Sequence, residues 1–260
     1  MKRFGWVVAV LVAGLLGAGC GGSGSVEDRL PDPTVRFVNG VVGNQAVDVF
    51  LNEDRTVADL GYTFATADFQ RIDFIRESED AYDVTVKPAG DVEELDRIAN
   101  SFAKDTHTIV LAYGLKDFGA DFEKRPQIAL IPTSRVRPIG EKALILVVND
   151  LARPEGVQNE AIDFQSVDPT DPNSEDNPLF KKANIGYGTY SATANDVLID
   201  SGTRTFQVRQ SGSDAVEVYA EREFNFEAGK VYLALVAGQV ENTTPGLAPQ
   251  IVFIPLSTIR

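Results

Sequence analysis

Hydrophobic residues alternate with polar ones in many short segments after residue 34, which is the period of a half-buried β-strand. Turn sequences such as Asn39-Gly40, Pro88-Ala89-Gly90 and Ala228-Gly229 separate these segments. Many short strands between turns predict an all-β chain built as sandwiches or barrels. The segments are TVRFV, AVDVFL, YDVTV, HTIVLAY and IALI, followed by ALILVV, TFQVR, VEVYAEREFNF, KVYLALVA and IVFI.

The same segments occur twice in the same order, which indicates two homologous domains. DVEELDRIA, the best helical candidate, aligns with the alternating sequence DAVEVYAER, so we predict a strand for both. We place the repeats at 34–133 and 142–260, with a linker at 134–141. The paired segments begin at Val38 and Val148, Ala46 and Ala161, Leu60 and Ile185, Phe102 and Phe226, and Gln127 and Gln250.

The first nineteen residues have the order of a secretory signal: a positive head, an apolar run from Phe4 to Leu16, and small residues. The five residues from Leu16 to Cys20, Leu-Gly-Ala-Gly-Cys, resemble the lipobox of bacterial lipoproteins, although leucine is commoner than Gly17 at its position. The resemblance implies a diacylglycerol on the Cys20 sulfur, cleavage of residues 1–19 and acylation of the new amino terminus. The alternatives are an ordinary secretory signal with a chance cysteine, and an uncleaved anchor.

Two or more acyl chains hold a protein stably at a membrane, so a lipidated Cys20 predicts a bacterial cell-envelope lipoprotein. Residues 20–33 begin with a glycine–serine run and are expected to be a flexible tether. In the lipoprotein family an aspartate after the cysteine signals retention at the inner membrane. Gly21 therefore favours the outer membrane, if the host has two membranes.

Motifs in both repeats resemble the extracytoplasmic bacterial domain catalogued as domain of unknown function 4397. The sequence departs from that pattern at Asn39, where histidine is frequent, and at Lys104-Asp105, where Ala-Gly is usual. The resemblance implies immunoglobulin-like or transthyretin-like β-sandwiches on an exported protein, and it implies no activity. It rests on Val35, Arg36, Val38, Val47, Asp48, Val49, Pro88, Ala89 and Gly90 in the first repeat, and on Phe226, Ala228, Gly229, Lys230, Tyr232 and Gly238 in the second.

Acidic residues outnumber basic ones by 38 to 24, which gives a formal net charge of −14. Loss of Lys2 and Arg3 with the leader would move this charge to −16. Such a surface repels phosphates, so we exclude a nucleic-acid partner. Cys20 is the only cysteine, and therefore no intrachain disulfide can form.

Few residues offer catalytic chemistry. His107 is the single histidine, and its counterpart in the second repeat is Val231, so we predict a strand position for it. Without a second histidine or a free thiol, nucleophilic triads and histidine-rich zinc sites have too few members. Asp48 and Asp163 occupy equivalent positions and are expected to face solvent or to bind backbone amides of a turn; a metal or substrate contact is the alternative.

The loop from Asp168 to Pro178 is the most acidic segment. Its alternating oxygen ligands make Asp168, Asp171 and Glu175 weak calcium candidates, and a solvated loop is the other interpretation. Aromatic residues follow a Gly-Tyr step in both repeats. We expect these residues to pack in the core or to lie at a strand crossing, with a ligand-binding aromatic patch as the alternative; they are Tyr62, Phe64, Tyr187 and Tyr190.

These observations predict a non-catalytic lipoprotein that needs no cofactor and is held at the membrane by its lipid. It would offer strand edges or loops to an envelope protein or glycan. One alternative is a calcium-dependent adhesion or matrix element that uses the acidic loop. The other is an extracytoplasmic hydrolase with a pair of carboxylates.

Overall fold

The computed structural model describes residues 30–43, 46–73, 81–119, 122–133, 138–154, 157, 161–168, 170–171, 180–191, 198–212 and 217–256. The chain divides into two units, Met1–Leu30 and Pro31–Arg260, and every strand described below belongs to the second. Cys20, Glu175 and residues 134–137 of the predicted linker lie outside the described residues. Within the described ranges, no helix is long and apolar enough to cross a membrane.

Short segments rich in Val, Ile, Phe and Tyr form strands, as expected for β-branched and aromatic side chains on a half-buried pleated surface. Of the segment DVEELDRIA, residues Asp96–Ala99 lie in β6, and Val218–Arg222 of its counterpart lie in β14. The first eight strands are β1 (Thr34–Asn39), β2 (Ala46–Leu51), β3 (Asp54–Gly61), β4 (Gln70–Arg71), β5 (Tyr82–Pro88), β6 (Asp96–Asn100), β7 (His107–Tyr113) and β8 (Gln127–Thr133). A short 3₁₀ helix at Phe122–Lys124 precedes β8. The next eight are β9 (Lys142–Ala152), β10 (Ile162–Val167), β11 (Phe180–Ile185), β12 (Leu198–Asp200), β13 (Gly202–Gln210), β14 (Val218–Phe226), β15 (Val231–Gln239) and β16 (Gln250–Leu256).

The two repeats have the same topology. In the first, the sheets have the orders β4-β1-β7-β8 and β3-β2-β5-β6; in the second, the orders are β12-β9-β15-β16 and β11-β10-β13-β14. The second set follows from the first when eight is added to each strand number. In each repeat the first and seventh strands pair in parallel, and the other neighbours are antiparallel. The predicted all-β chain with two tandem β-sandwiches is confirmed.

Equivalent asparagines confirm the alignment of the repeats at the level of single hydrogen bonds. Asn39 Nδ2 donates to the Leu60 carbonyl at 2.9 Å, and its Oδ1 accepts from the Val41 N–H at 3.0 Å. Asn149 makes the same two contacts with Ile185 and Leu151, at 2.9 and 3.0 Å. Both side chains are fully buried, so they satisfy backbone groups that would otherwise lack a hydrogen-bond partner.

Each sandwich has its own inner core. In the first repeat this core is mostly aliphatic, with Val35, Phe37 and Val110 among its members. The second core is aromatic: the Phe206 ring lies 4.9 Å from Phe164, 5.5 Å from Phe226 and 5.6 Å from Phe253, centroid to centroid. Such stacked and edge-to-face pairs stabilise a core beyond the effect of their buried area.

The two sandwiches also share buried apolar residues. Side chains alternate between the faces of a strand, so Phe37 and Val110 point into the first core while Val38, Ile109 and Leu111 point the other way. These last three residues belong to the cluster that contains the β9 and β15 side chains of the second repeat. The outer face of the β4-β1-β7-β8 sheet is therefore buried against the second repeat.

The segments that flank the repeats are described only in part. Pro31 and Pro33, at the end of the predicted tether, accept backbone hydrogen bonds from Asp105 at 2.8 Å and Ile72 at 3.1 Å. Ile139, in the predicted linker, is 88% exposed. The domain boundaries at 34–133 and 142–260 stay a prediction.

Candidate functional site

Asp48 and Asp163 hold backbone bulges in the two repeats. The Asp48 Oδ1 accepts the Asp59 N–H at 2.9 Å, and the Asp163 Oδ1 accepts the Asn184 N–H at 3.0 Å. Asp59 and Asn184 both have positive φ angles, of 52° and 59°, which Asp and Asn tolerate better than other non-glycine residues do. The strand register shifts near both contacts. Each carboxylate thus binds a backbone amide, one of the two roles the sequence predicts for it.

A basic residue accompanies each of these carboxylates. Arg55 lies 3.3 Å from Asp48, and Lys181 lies 2.8 Å from Asp163. Burial acts to raise the pKa of both carboxyls, but backbone N–H donors and the basic partners outweigh it, and the net pKa shift is downward. Both groups are therefore ionised at neutral pH and engaged in the fold.

His107 is buried in β7. Its Nδ1 forms a hydrogen bond with the Thr34 hydroxyl, and its ring lies 5.0 Å from that of Phe69. The register of the parallel pairs matches His107 with Thr34 and Val231 with Leu144, which confirms that His107 and Val231 are equivalent. The strand position predicted for His107 is confirmed.

The acidic loop is described only at its start. The Asp168 carboxylate accepts the Thr170 N–H at 2.8 Å and the Thr170 hydroxyl at 2.6 Å, which is a local turn contact. The Asp171 N–H donates to the Asp168 carbonyl at 3.1 Å. Within the described residues no three metal-ligating side chains cluster. Glu175 lies outside them, and calcium binding by this loop stays a prediction.

The aromatic residues at and after the Gly-Tyr steps differ in their burial. Tyr62 and Tyr190 pack against the shared cluster, and Tyr62 and Tyr187 both flank a smaller cluster around Val42 and Ala152. Phe64 is 67% exposed. The prediction of core packing is wrong for Phe64, because it lies in the turn just after Tyr62, where its side chain points to solvent instead of the core.

Asp150 belongs to none of the candidate sites predicted above, and its carboxyl lies in the contact between the repeats. It is fully buried, and its Oδ1 accepts the Gly114 N–H of the first repeat at 3.0 Å. Its Oδ2 has no hydrogen-bond partner among the described residues, and the same is true of the buried Tyr187 hydroxyl. The one sequence signal is the change from Asn-Gly in the first repeat to Asn-Asp in the second.

Burial dominates the electrostatics around Asp150. It raises the pKa of the carboxyl well above the usual value, and the Gly114 hydrogen bond lowers it only in part. Burial, with the Asp150 carboxyl as the second cause, also raises the pKa of the Tyr62, Tyr113 and Tyr187 hydroxyls. A carboxyl with this pKa shift is a catalytic candidate only when it lines a cleft. Asp150 is enclosed between the repeats, so we interpret it as part of their packing.

A cleft opens between the two sheets of the second sandwich, and we call it the second-repeat cleft. It has a volume of about 360 Å³, within the range of small-molecule sites. Apolar side chains of Phe180, Leu198 and Ile199 line it together with Ser166. Its charged residues are Lys142, Asp200 and Arg204.

An ionic cluster forms one side of this cleft. Lys142 Nζ lies 2.5 Å from Asp200 Oδ1, and Arg204 Nη2 lies 3.6 Å from Asp200 Oδ2. Arg204 Nε also donates to the Asp200 carbonyl at 3.1 Å. The Lys142 hydrogen bond is the main reason that the pKa of Asp200 is lowered, so this carboxyl stays ionised. The cluster carries two positive charges and one negative charge.

Comparison with known proteins adds little to this geometry. No family model matches the chain, and no curated protein matches it. A crystal structure described as "a putative cell adhesion protein" from Bacteroides ovatus aligns with 88% of this chain and 96% of its own, at 10% identity and a TM-score of 0.19. A score this low carries no argument about fold or function. The resemblance to domain of unknown function 4397 stays a prediction.

Proposed function

We propose that this protein is a non-catalytic lipoprotein of a bacterial cell envelope, anchored through Cys20, that binds an envelope protein or glycan through its loops. The observation that carries the proposal is the use of the candidate catalytic groups by the fold. Asp48 and Asp163 hold backbone bulges, and His107 packs inside a sheet. These side chains are therefore not available for acid–base chemistry on a substrate.

Loops suit this binding role better than the edges formed by β3 and β11. The edge strands β3 and β11 carry bulges and charged side chains, which protect an exposed edge from pairing with another chain. The loops, in contrast, expose apolar side chains: Val92 and Ile139 are each 88% exposed, and Phe64 is 67% exposed. Burying such side chains would favour association with a partner.

The anchor is tested by fractionation of cells that express the full chain. We expect the wild-type protein to sediment with membranes and to incorporate a labelled fatty acid. Cys20→Ala should remove both properties, whereas Ser23→Ala, in the same glycine–serine run, should change neither. Sedimentation of the Cys20→Ala protein with membranes would contradict the anchor.

Binding is tested with the purified full chain on immobilised envelope polysaccharide and on detergent-extracted envelope proteins. We expect saturable binding that weakens at least tenfold with Phe64→Asp, Val92→Asp or Ile139→Asp. An Asp117→Asn variant, changed at an exposed residue of another loop, is the matched control. Unchanged binding by all three aspartate variants would contradict binding through these loops. Cleavage of the bound glycan would contradict a non-catalytic role.

A further inference from the structure

The residues that line the second-repeat cleft differ from those at the equivalent positions of the first repeat, although equivalent strands surround both positions. Ser166 lies three residues after Asp163, and Leu51 lies three residues after Asp48. In the two registers these residues pair with equivalent positions of β13 and β5. Leu51 is buried in the inner core of the first repeat. Where the first repeat has a leucine, the second therefore has a small hydroxyl side chain beside a cavity.

The second change replaces Tyr82 with Arg204. In the strand register Asp48 lies opposite Lys87, five residues after Tyr82, and Asp163 lies opposite Arg209, five residues after Arg204. Tyr82 and Arg204 are therefore equivalent, and each donates to an equivalent backbone carbonyl. The Tyr82 hydroxyl donates to the Asp73 carbonyl at 3.1 Å, and Arg204 Nε donates to the Asp200 carbonyl at 3.1 Å. The Tyr82 ring also lies 6.0 Å from the Phe102 ring and packs against the inner core of the first repeat. Arg204 keeps the hydrogen bond but places a cation at the cleft.

Ser166 gives an independent sign of a ligand. The residue is 1% exposed, lines the cleft, and its hydroxyl has no hydrogen-bond partner among the described residues. A buried hydroxyl without a partner is destabilising, because it loses its bonds to water and gains none. A ligand that enters the cleft and bonds this hydroxyl would remove that cost.

The lining restricts the chemistry of such a ligand. Phe180, Leu198 and Ile199 favour an apolar body. The ionic cluster has one net positive charge, which matches a single negative charge better than two. An arginine side chain carries five N–H donors in a planar fork that suits a carboxylate, and Asp200 contacts two of the Arg204 nitrogens, Nε and Nη2.

We propose that the second-repeat cleft binds a small organic monoanion: a carboxylate attached to an aliphatic or aromatic group, with Arg204 and Lys142 on the carboxylate and Ser166 on a polar atom of the body. Such a group occurs in free acids and at the carboxyl terminus of a peptide. This site does not depend on the lipid anchor or on the macromolecular partner proposed above.

The test uses calorimetric titration of the purified full chain with N-acetyl-L-phenylalanine and with its neutral amide. We expect the acid to bind at least tenfold more tightly than the amide, and more tightly than phenyl phosphate. A peptide that ends in phenylalanine with a free carboxylate identifies the source: tighter binding than the free acid indicates a chain terminus, and equal or weaker binding indicates a free acid. Equal affinity for acid and amide, or no binding of either, would overturn the proposal.

Variants locate the site. Arg204→Gln should weaken binding of the acid at least tenfold, while Arg97→Gln, which breaks an exposed ion pair with Asp83 in the first repeat, should leave it unchanged. The double variant Ser166→Leu with Arg204→Tyr copies the first repeat and should abolish binding without lowering the melting temperature. If that filled variant is folded and still binds the acid with wild-type affinity, the ligand lies elsewhere and the assignment is wrong.

Discussion

Gly40 and Asp150 occupy the same position in the two repeats, and in the folded chain they face each other. A Cβ atom placed on Gly40 would lie 2.6 Å from the Asp150 Oδ2 and 3.1 Å from the Ala112 carbonyl oxygen. Tyr62 and Tyr187, which are also equivalent, both flank the smaller cluster around Val42 and Ala152. Contacts between equivalent residues are typical of an approximate two-fold arrangement, as in isologous dimers.

Gly40→Ala should therefore destabilise the protein. The added methyl group has no room beside the buried carboxyl, and overpacking a close contact costs about 1–3 kcal/mol. Urea denaturation of the full chain measures this as a lower midpoint. Gly186→Ala is the matched control, since its nearest heavy atom would be 3.4 Å away and belongs to an exposed threonine; we expect a change below about 0.5 kcal/mol there. Equal effects of the two substitutions would contradict the tight contact.

Asp150→Asn should stabilise the protein, and more so as pH rises. Burial raises the pKa of Asp150 in the folded state above its usual value of 3.8. Between these two pKa values the folded protein retains a proton that the unfolded chain has lost, so stability falls with rising pH. The penalty is about 1.4 kcal/mol for each unit of the shift. The asparagine stays neutral, keeps an oxygen for the Gly114 N–H, and removes the penalty.

The measurement for Asp150 is the difference in unfolding free energy between variant and wild type, at about pH 4 and about pH 8. The difference should be small at the lower pH and favour the variant at the higher one. Asp117→Asn, at an exposed position, should show no such trend. A variant that is less stable than wild type at both values would mean that the ionised carboxylate stabilises the repeat contact.

Asp48→Ala should destabilise the protein at neutral pH. The substitution strands the Asp59 N–H and removes an acceptor from a position that is 3% exposed, at a cost of about 1–3 kcal/mol. The folded-state pKa of Asp48 is lowered, so its contribution is complete above the usual pKa of 3.8 and is lost as pH falls through the lower folded value. The difference in unfolding free energy between wild type and Asp48→Ala, measured by chemical denaturation, should therefore become smaller in strong acid.

Arg55→Gln separates the backbone contact of Asp48 from its ion pair. The Arg55 side chain is 56% exposed, and an exposed pair contributes less than about 1 kcal/mol. Chemical denaturation should thus show a smaller loss for Arg55→Gln than for Asp48→Ala. Asp163→Ala should repeat the result in the second sandwich. If the arginine substitution costs as much as the aspartate substitution, the ion pair and not the bulge is the source of stability.

Strand periodicity and the internal repeat suffice to predict the architecture, because both are local properties of the sequence. The equivalence of His107 with Val231, and the backbone role of Asp48 and Asp163, follow from the same alignment. Asp150 is different. Its environment comes from Gly114 and Tyr62 of the other repeat, and the alternation of side chains along a strand does not show which outer face another sheet will cover.

The second-repeat cleft depends on residues from strands that are distant in sequence. Ser166 and Arg204 are ordinary residues for a β-strand, and neither sequence position signals a cavity. Alignment of the two repeats by strand register shows that Ser166 and Arg204 occupy the positions of Leu51 and Tyr82, which pack in the first sandwich. Phe64 shows the reverse case: an aromatic residue in an apolar segment stays exposed because the turn directs it to solvent.

The shared buried cluster predicts that the two sandwiches unfold together. Val38, Ile109 and Leu111 of the first repeat are packed with the second repeat, so unfolding of either would expose apolar surface on the other. Differential scanning calorimetry should show one transition with equal calorimetric and van't Hoff enthalpies. Ile109→Ala should lower the free energy of unfolding by about 2–4 kcal/mol, and the single transition should move to a lower temperature without splitting. Arg36, whose Nη1 donates to the Pro255 carbonyl at 2.6 Å, joins the repeats in the same region. Two separate transitions in the wild-type protein would show that the shared cluster does not couple them.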